Sequence, residues 1–595
     1  MKTKIFISLS VVGLMSLSAC KKSYLEKNLT GSLETQLLDT KDGVNGLLVG
    51  AYAALDGQQG GDAAIGGGGA WEASPDNWIY GGVAGGDASK GSVAGDQTPI
   101  EPIMKFTSDA SNGFFNSKWK ADYEGISRTN NILKAVAKVS SFTDAERKNI
   151  IGQARFLRAH YYFDLKKMFN KVPYIDETTT NFNQPNNTDI WPKIEQDFMY
   201  AYENLPTTQS SVGQVNKWAA AAYLAKTYLY EHKYTDAKPL FDAVISQGVT
   251  SGGLKYQLNK NFDDNFRPET KNSSESVFAV QMAANVDPNG PSNANNGDML
   301  NFPYGNSSPF SCCGFYQPSV DLVNHYRTNP ATGLPYLDNY NTYAIKNDIN
   351  VASSDDFDPD EGTIDPRLDW TVGRRGIPYL DWGIHPGADW IRDQDYGGPY
   401  SPIKNVYWQA TQNTYGDNHS WAPGSANNYD VIRFADVLLM AAEVEAQTGN
   451  VGQAEMYVNM VRNRAANPDG WVHTYKDENK PTAGFTDEPA ANYLISPYPT
   501  GTFAAGGKDF ALKAIYYERK LELAMEGHRF FDLVRWGTAE QELNAYFQYQ
   551  STITNDVKGG HYVKGKNDYY PIPQRQIDLS AVSGAAVLKQ NPGYN

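Results

Sequence analysis

The chain has 595 residues, enough to bury one large core or several smaller ones. Acids outnumber bases, 67 to 52, and the formal net charge of −15 argues against a surface built for nucleic acid, which needs clustered Lys and Arg. Aromatic residues make up 13% of the chain. That supply fills cores and still leaves rings for loops that stack on neutral polar ligands.

The chain opens MKTKIFISLSVVGLMSLSAC, with Lys2 and Lys4 ahead of an apolar stretch from Ile5 to Leu17. This is the build of a secretory signal peptide, too short and wrongly flanked for a spanning helix. Leu17-Ser18-Ala19-Cys20 looks like a bacterial lipobox. Residues 1–19 are therefore expected to be removed. The Cys20 thiol is expected to carry lipid (palmitate among the acyl chains), and residues 20–40 to act as a polar tether to a membrane.

From Asp42 to Leu55 the apolar pattern is helical. A Gly-rich tract then runs from 57 to 97. A tract this long inside a compact domain is usually functional, and Trp71, Trp78 and Tyr80 argue against simple disorder. Helical spacing resumes from Trp119 to Leu133. It is strongest over 144–169, DAERKNIIGQARFLRAHYYFDLKKMF, which Pro173 follows. LAKTYLYEHKYTDAKPLF has Leu224, Ala225, Tyr228, His232, Tyr234, Ala237 and Phe241 at tetratricopeptide spacing, with His232 in place of the usual turn Gly. A looser copy, LLMAAEVEAQTGNVGQAEMYVNMVR, carries Gly449 in the turn. Between the copies, SESVFAVQM (274–282) reads as a strand and 250–430 is otherwise dense in Asn, Pro, Gly, Trp and Tyr. Residues 466–508 read as a loop, and the segment from Ala511 to Gly537 as one helix. The fold class expected is mainly α: a scaffold of tetratricopeptide-like helix pairs with a loop-rich insertion carrying a few short strands.

Glu518, Glu522 and Glu526 stand at i, i+4 spacing on one helical face, whereas a glycosidase sets two carboxylates across the scissile bond from different elements. Arg519, Arg529 and Arg535 lie near them in sequence, so the reading is a structural ion-pair network. Arg155, Arg158, Arg433 and Arg519 are expected to pair with Asp164, Asp436 or Glu443. GDASKGS (86–92) places Lys90 before Gly91 and so fails as a phosphate loop. SDDFDPDEGTID (354–365) reads as a solvated acidic loop, with calcium the lesser alternative. No cofactor and no catalytic residue is expected.

ARFLRAHYYFDL, YDVIRFADVLLMAAEVEAQTGN, YYERKLELAMEGHRFFDLVRWG and the ending YYPIPQRQIDLS…QNPGYN resemble the SusD/RagB family, together with SESVFAVQ, DPRLDW and the lipobox. The resemblance covers nearly the whole mature chain in order. It implies a helical N-terminal region (41–250) with a tetratricopeptide-like repeat, and a C-terminal region (251–595) that includes a ligand-binding insertion. It implies a non-enzymatic lipoprotein of the outer membrane, facing the cell surface. Such a protein binds oligosaccharide and sits as a lid on a SusC-like TonB-dependent barrel transporter. Lys21-Lys22-Ser23 lacks the acidic run that often marks surface export, a departure from that pattern. Other nutrients such as peptides, or a surface glycoside hydrolase, are the rival readings.

A sugar ring needs a flat apolar wall with polar groups at its edge, set on loops held by a scaffold. Two stretches qualify. The first holds Trp71, Trp78, Tyr80, Asp87 and Lys90. The second holds Tyr304, Phe310, Tyr316, Trp382 and Trp390. It also contains Cys312 and Cys313 in SPFSCCGFYQPS, which form either a vicinal disulfide or a pair of free thiols beside the aromatic rings. Two cysteines alone complete no tetrahedral zinc site.

Overall fold

The computed structural model describes residues 38–57, 69–286 and 293–594; the expected signal peptide, Cys20 and most of the tether lie outside them. Eleven longer helices carry the scaffold: α1 (Lys41–Ala53), α2 (Gly113–Val136), α3 (Asp144–Phe169), α4 (Trp191–Asn204), α5 (Lys217–Tyr230), α6 (Tyr234–Gln247), α7 (Phe434–Gln447), α8 (Val451–Ala465), α9 (Thr502–Leu523), α10 (Arg529–Trp536) and α11 (Ala539–Gln550). From α2 to α6 each helix packs on the next, and α6 joins α7, which packs with α8 and α9.

The local reasons are visible in the residues. Thr143 opens α3 with a capping box: its hydroxyl accepts from the Glu146 amide while Glu146 accepts from the Thr143 amide. Asn216 caps α5 by accepting from the amides of Trp218 and Ala219. In α5 the run Ala219–Ala222 is wholly buried, and side chains this small let α4 and α6 approach closely. Gly125 does the same where α2 crosses α3, since a Cβ there would run into the Tyr161 ring. The two expected helix pairs are α5–α6 and α7–α8. Their turns need left-handed backbone: Gly449 supplies it at φ 93°, and His232 adopts it at φ 58° in the glycine's place.

Short antiparallel strand pairs tie distant parts of the chain to this scaffold. β1 (Ala88–Gly91) pairs with β3 (Phe315–Pro318), and β2 (Ser276–Val280) with β4 (Tyr429–Arg433). Two-stranded pairs are marginal alone and owe their stability to packing. The loop expected at 466–508 contains a further strand pair, His473–Tyr475 with Phe485–Pro489, and the first turns of α9.

The helix expected over 511–537 is two. It stops at Leu523 and restarts at Arg529, because Met525 and Gly527 take φ of 65° and 73°. The break lets Gly527 back directly onto the Asp76 carbonyl, where any Cβ would collide. The Gly-rich tract is held against the scaffold at that point.

Below the break lies a buried ion network. Arg367 reaches Asp365 and Glu518 at 2.7 Å and Glu522 at 2.9 Å. Arg433 reaches Glu275 at 3.0 Å, Glu522 at 2.5 Å and Glu526 at 2.8 Å. Arg462 holds Glu518 at 2.8 Å, Arg464 pairs with Glu275 and Glu522, and Lys404 holds Glu526 at 2.7 Å. Five cations meet five carboxylates, all buried. The three glutamates are thus in an ion network, but Arg519, Arg529 and Arg535 are not their partners. Arg519 takes Asp436, one of the partners expected of it, and Asp532; Arg535 takes Glu443 and Asp532, and Arg529 takes Glu542. Arg158 likewise takes Asp197 and Glu177 in place of Asp164.

Candidate ligand-binding surface

The structure divides the expected binding residues into core and surface. Trp78 is fully buried and its indole N–H donates to the Gly297 carbonyl. Tyr80 is 1% exposed and donates to the carbonyls of Glu72 and Phe114. Asp87 is buried, which pushes its carboxyl up to about 6, and it accepts from the Met525 amide. Lys90 is 0% exposed: its ammonium lies between the rings of Phe315 and Tyr396 and donates to the carbonyls of Val93 and Asp96. Burial and the desolvated Asp87 carboxylate, Lys90 ammonium and hydroxyls thus serve the core, and these four present no face to a ligand. Tyr316 and Trp390 are buried too, Trp390 against Tyr379 and His385 with its N–H on the Ser307 carbonyl. The binding role expected of these six does not fit their place in the core.

Trp71, Tyr304, Cys312 and Trp382 remain half-buried. They are joined by residues that the sequence reading did not select. The Trp71 indole N–H donates to Gln97 at 3.1 Å, and its ring meets the edge of Trp421, which is 66% exposed. Next to Gln97, Asp96 accepts from Arg392 at 2.8 Å, and Arg392 also donates to Ser92. The Arg392 guanidinium lies 5.4 Å from the Tyr304 ring centroid. Tyr304 and Arg392 both flank Gly314, which leads from the cysteines into β3.

Cys312 and Cys313 form a vicinal disulfide, across a cis peptide bond. Of the two alternatives held open by the sequence, the structure takes the bridge. Phe310 lies beneath Trp382 with ring centroids 4.7 Å apart; Phe302 and Tyr407 complete the cluster, and the Trp382 indole N–H is fixed by the Tyr407 carbonyl. Phe310 therefore supports the wall from below. The pairing of β1 with β3 is what brings the two loops, more than 200 residues apart in sequence, to one place: the Ser92 amide donates to the Gly314 carbonyl directly beside the Gly91–Phe315 pair.

Linked by these contacts, Trp71, Tyr304, Cys312 and Trp382 make up a candidate strip with Arg392, Asp96 and Gln97 beside it. A groove of about 590 Å³ runs elsewhere, between α2 and the chain's C-terminal end, past Tyr123, Phe182 and Leu579. Stacking on a sugar face needs a flat ring and not a deep volume, so the strip is the better match to that chemistry.

A family model described as the SusD family matches residues 274–594, more than half of the chain. The chain belongs to the SusD family. A second model, described as starch-binding and associating with the outer membrane, matches residues 90–229. A SusD-like protein of Formosa agariphila is 24% identical over 505 residues, 83% of either chain. A second from that organism is 25% identical over 479 residues, covering 78% of this chain and 77% of the relative. Among solved structures, a SusD superfamily protein from Bacteroides vulgatus matches with a TM-score of 0.65 at 19% identity, over 93% of this chain and 98% of that one. A laminarin binding SusD-like protein matches at TM-score 0.62 and 22% identity, over 93% of this chain and 100% of that one. Surface glycan-binding protein A of Bacteroides thetaiotaomicron, solved in complex with laminarihexaose, matches at TM-score 0.62 and 19% identity, over 93% and 99%. These neighbours establish the shared helical fold.

Proposed function

We propose that this SusD-family protein captures an oligosaccharide without cleaving it and delivers it to a TonB-dependent barrel transporter in the outer membrane, to which Cys20 tethers it by lipid. The observation that carries the reading is the strip itself: half-buried rings of Trp71, Tyr304 and Trp382, the Cys312–Cys313 bridge, and the Arg392–Asp96 ion pair beside Tyr304. Solved neighbours named for laminarin and laminarihexaose binding support a glycan as the ligand class. The glycosidase alternative loses its best carboxylates, because Glu518, Glu522 and Glu526 are each held by buried Arg or Lys. Isothermal titration against a panel of oligosaccharides tests the reading. We expect binding to one glycan class, weakened about tenfold or more by Trp382→Ala, a loss of over about 1 kcal/mol. Absence of binding across the panel, or unchanged affinity in Trp382→Ala, would overturn it.

A further inference from the structure

A partly open cavity of about 60 Å³, lined by Asp76, Asp298, Asn295 and Asn301 among others, has room for a cation with a water or two. It sits where the loop 69–78 meets the loop 293–301, the join marked by the Trp78–Gly297 hydrogen bond. Two carboxyls face each other there, Asp76 and Asp298, within hydrogen-bonding reach and 6% and 7% exposed. Among the described residues neither has an arginine partner. Lys118, the cation acting on Asp76, is engaged with Asp164 at 2.7 Å, and Lys404, which also lines the cavity, is engaged with Glu526.

The amides around the pair are the second observation. Asn295 and Asn301 turn their N–H groups to Asp298, which leaves both carbonyl oxygens without a partner at 4% and 1% exposure. The Asn427 carbonyl oxygen and the Tyr316 hydroxyl, on the same cavity, are unpartnered as well, as is the Asn428 amide nitrogen. Buried acceptors left without donors cost about 1–3 kcal/mol each unless something satisfies them. One cation would satisfy these oxygens and neutralise the two carboxylates side by side.

We propose that this cavity binds a hard cation of the calcium class, held by the Asp76 and Asp298 carboxylates and the amide oxygens of Asn295 and Asn301. All four are oxygen donors, the set that hard cations select, and the Asn428 amide would donate to a water on the ion. Among the described residues no group of three His, Cys, Asp or Glu stands ready for a metal, so this site relies on amides where a transition-metal site would use imidazole or thiolate. The ion would tie the two loops whose outer residues include Trp71, and so brace one end of the strip.

The test is metal content and melting of the purified protein, stripped with chelator, desalted and titrated with calcium chloride. We expect one calcium per chain, a rise in melting temperature with added calcium, and loss of both in Asp298→Asn. Asp356→Ala, in the exposed acidic loop, keeps both. Wild-type protein that holds no calcium and melts identically with calcium or chelator overturns the proposal, as does full calcium binding by Asp298→Asn. Should that variant fail to fold, anomalous scattering from terbium-soaked wild-type crystals decides: a peak between Asp76 and Asp298 supports the site, and its absence there overturns it.

Discussion

Glu522→Gln removes one charge from a network that balances five against five. Glu522 serves three arginines: Arg367 at 2.9 Å, Arg433 at 2.5 Å, and Arg464. Each contact is worth about 4 kcal/mol of attraction at an effective dielectric of 20, offset in part by the cost of burying the carboxylate. The variant keeps the shape and one acceptor oxygen, but its –NH2 faces an arginine N–H where a carboxylate oxygen had accepted, and one buried positive charge is left uncompensated. Removal of one partner from such a site costs about 3–5 kcal/mol. Glu124→Gln, which loosens the part-exposed pair with Arg128, is the control and costs under about 1 kcal/mol. Equilibrium urea unfolding by fluorescence and circular dichroism measures both, provided the two probes coincide. The arginines hold the Glu522 carboxyl far below its ordinary 4.5, although burial by itself works the other way. Its contribution is therefore present above pH 4.5 and fades as pH falls towards the folded value, so the gap between wild type and variant narrows in acid. Adding Arg464→Gln restores the balance, and the double variant is expected to recover over about 1 kcal/mol of the loss. A Glu522→Gln cost no larger than that of Glu124→Gln would refute the account.

His160 is buried in α3 with its Nδ1 2.9 Å from the Tyr223 hydroxyl, and burial lowers its pKa to about 3. Its ring is expected to show no NMR titration between pH 8 and 5; the stability it contributes is full above pH 6.5 and declines as pH falls towards 3, so a midpoint near 6.5 would contradict it. Asp556 is pushed the other way, up to about 7 by burial, so its ionised form burdens the fold as pH rises. Asp556→Asn is expected to stabilise more at pH 8 than at pH 5, by about 1–3 kcal/mol in urea unfolding, and an equal effect at both would refute this. Alkylation of unfolded, unreduced protein is expected to leave Cys312 and Cys313 unmodified by mass spectrometry and to modify both after reduction; labelling before reduction would exclude the bridge.

The scaffold was legible because its causes are local. The periodicity of 144–169 returned a helix with the same ends, since Thr143 and Glu146 cap it within four residues. The two helix pairs were legible from small residues at fixed spacing and from their turns, including the left-handed turn that His232 makes without glycine. The break at 524–528 was hidden, because Ala524, Met525 and Glu526 are good helix formers and only contact with Asp76 requires Gly527 to turn.

Which aromatic residues face solvent was not decided by sequence. Trp78 and Trp382 sit in similar Gly- and Pro-rich stretches, yet one is sealed beneath Gly297 and the other stays half-buried over Phe310. The difference comes from partners 219 and 72 residues away, which no local pattern records. The same holds for charge: the chain shows three glutamates on one helix face, but Arg367 and Arg433, 155 and 89 residues from Glu522, are brought to it only by the packed fold. By itself the sequence determined the longer helices up to the break at 524–528, the two helix pairs and the stretches that carry the rings. The tertiary structure alone decided which of those rings form a wall, because exposure and ion pairing are properties of what lies opposite a residue in space.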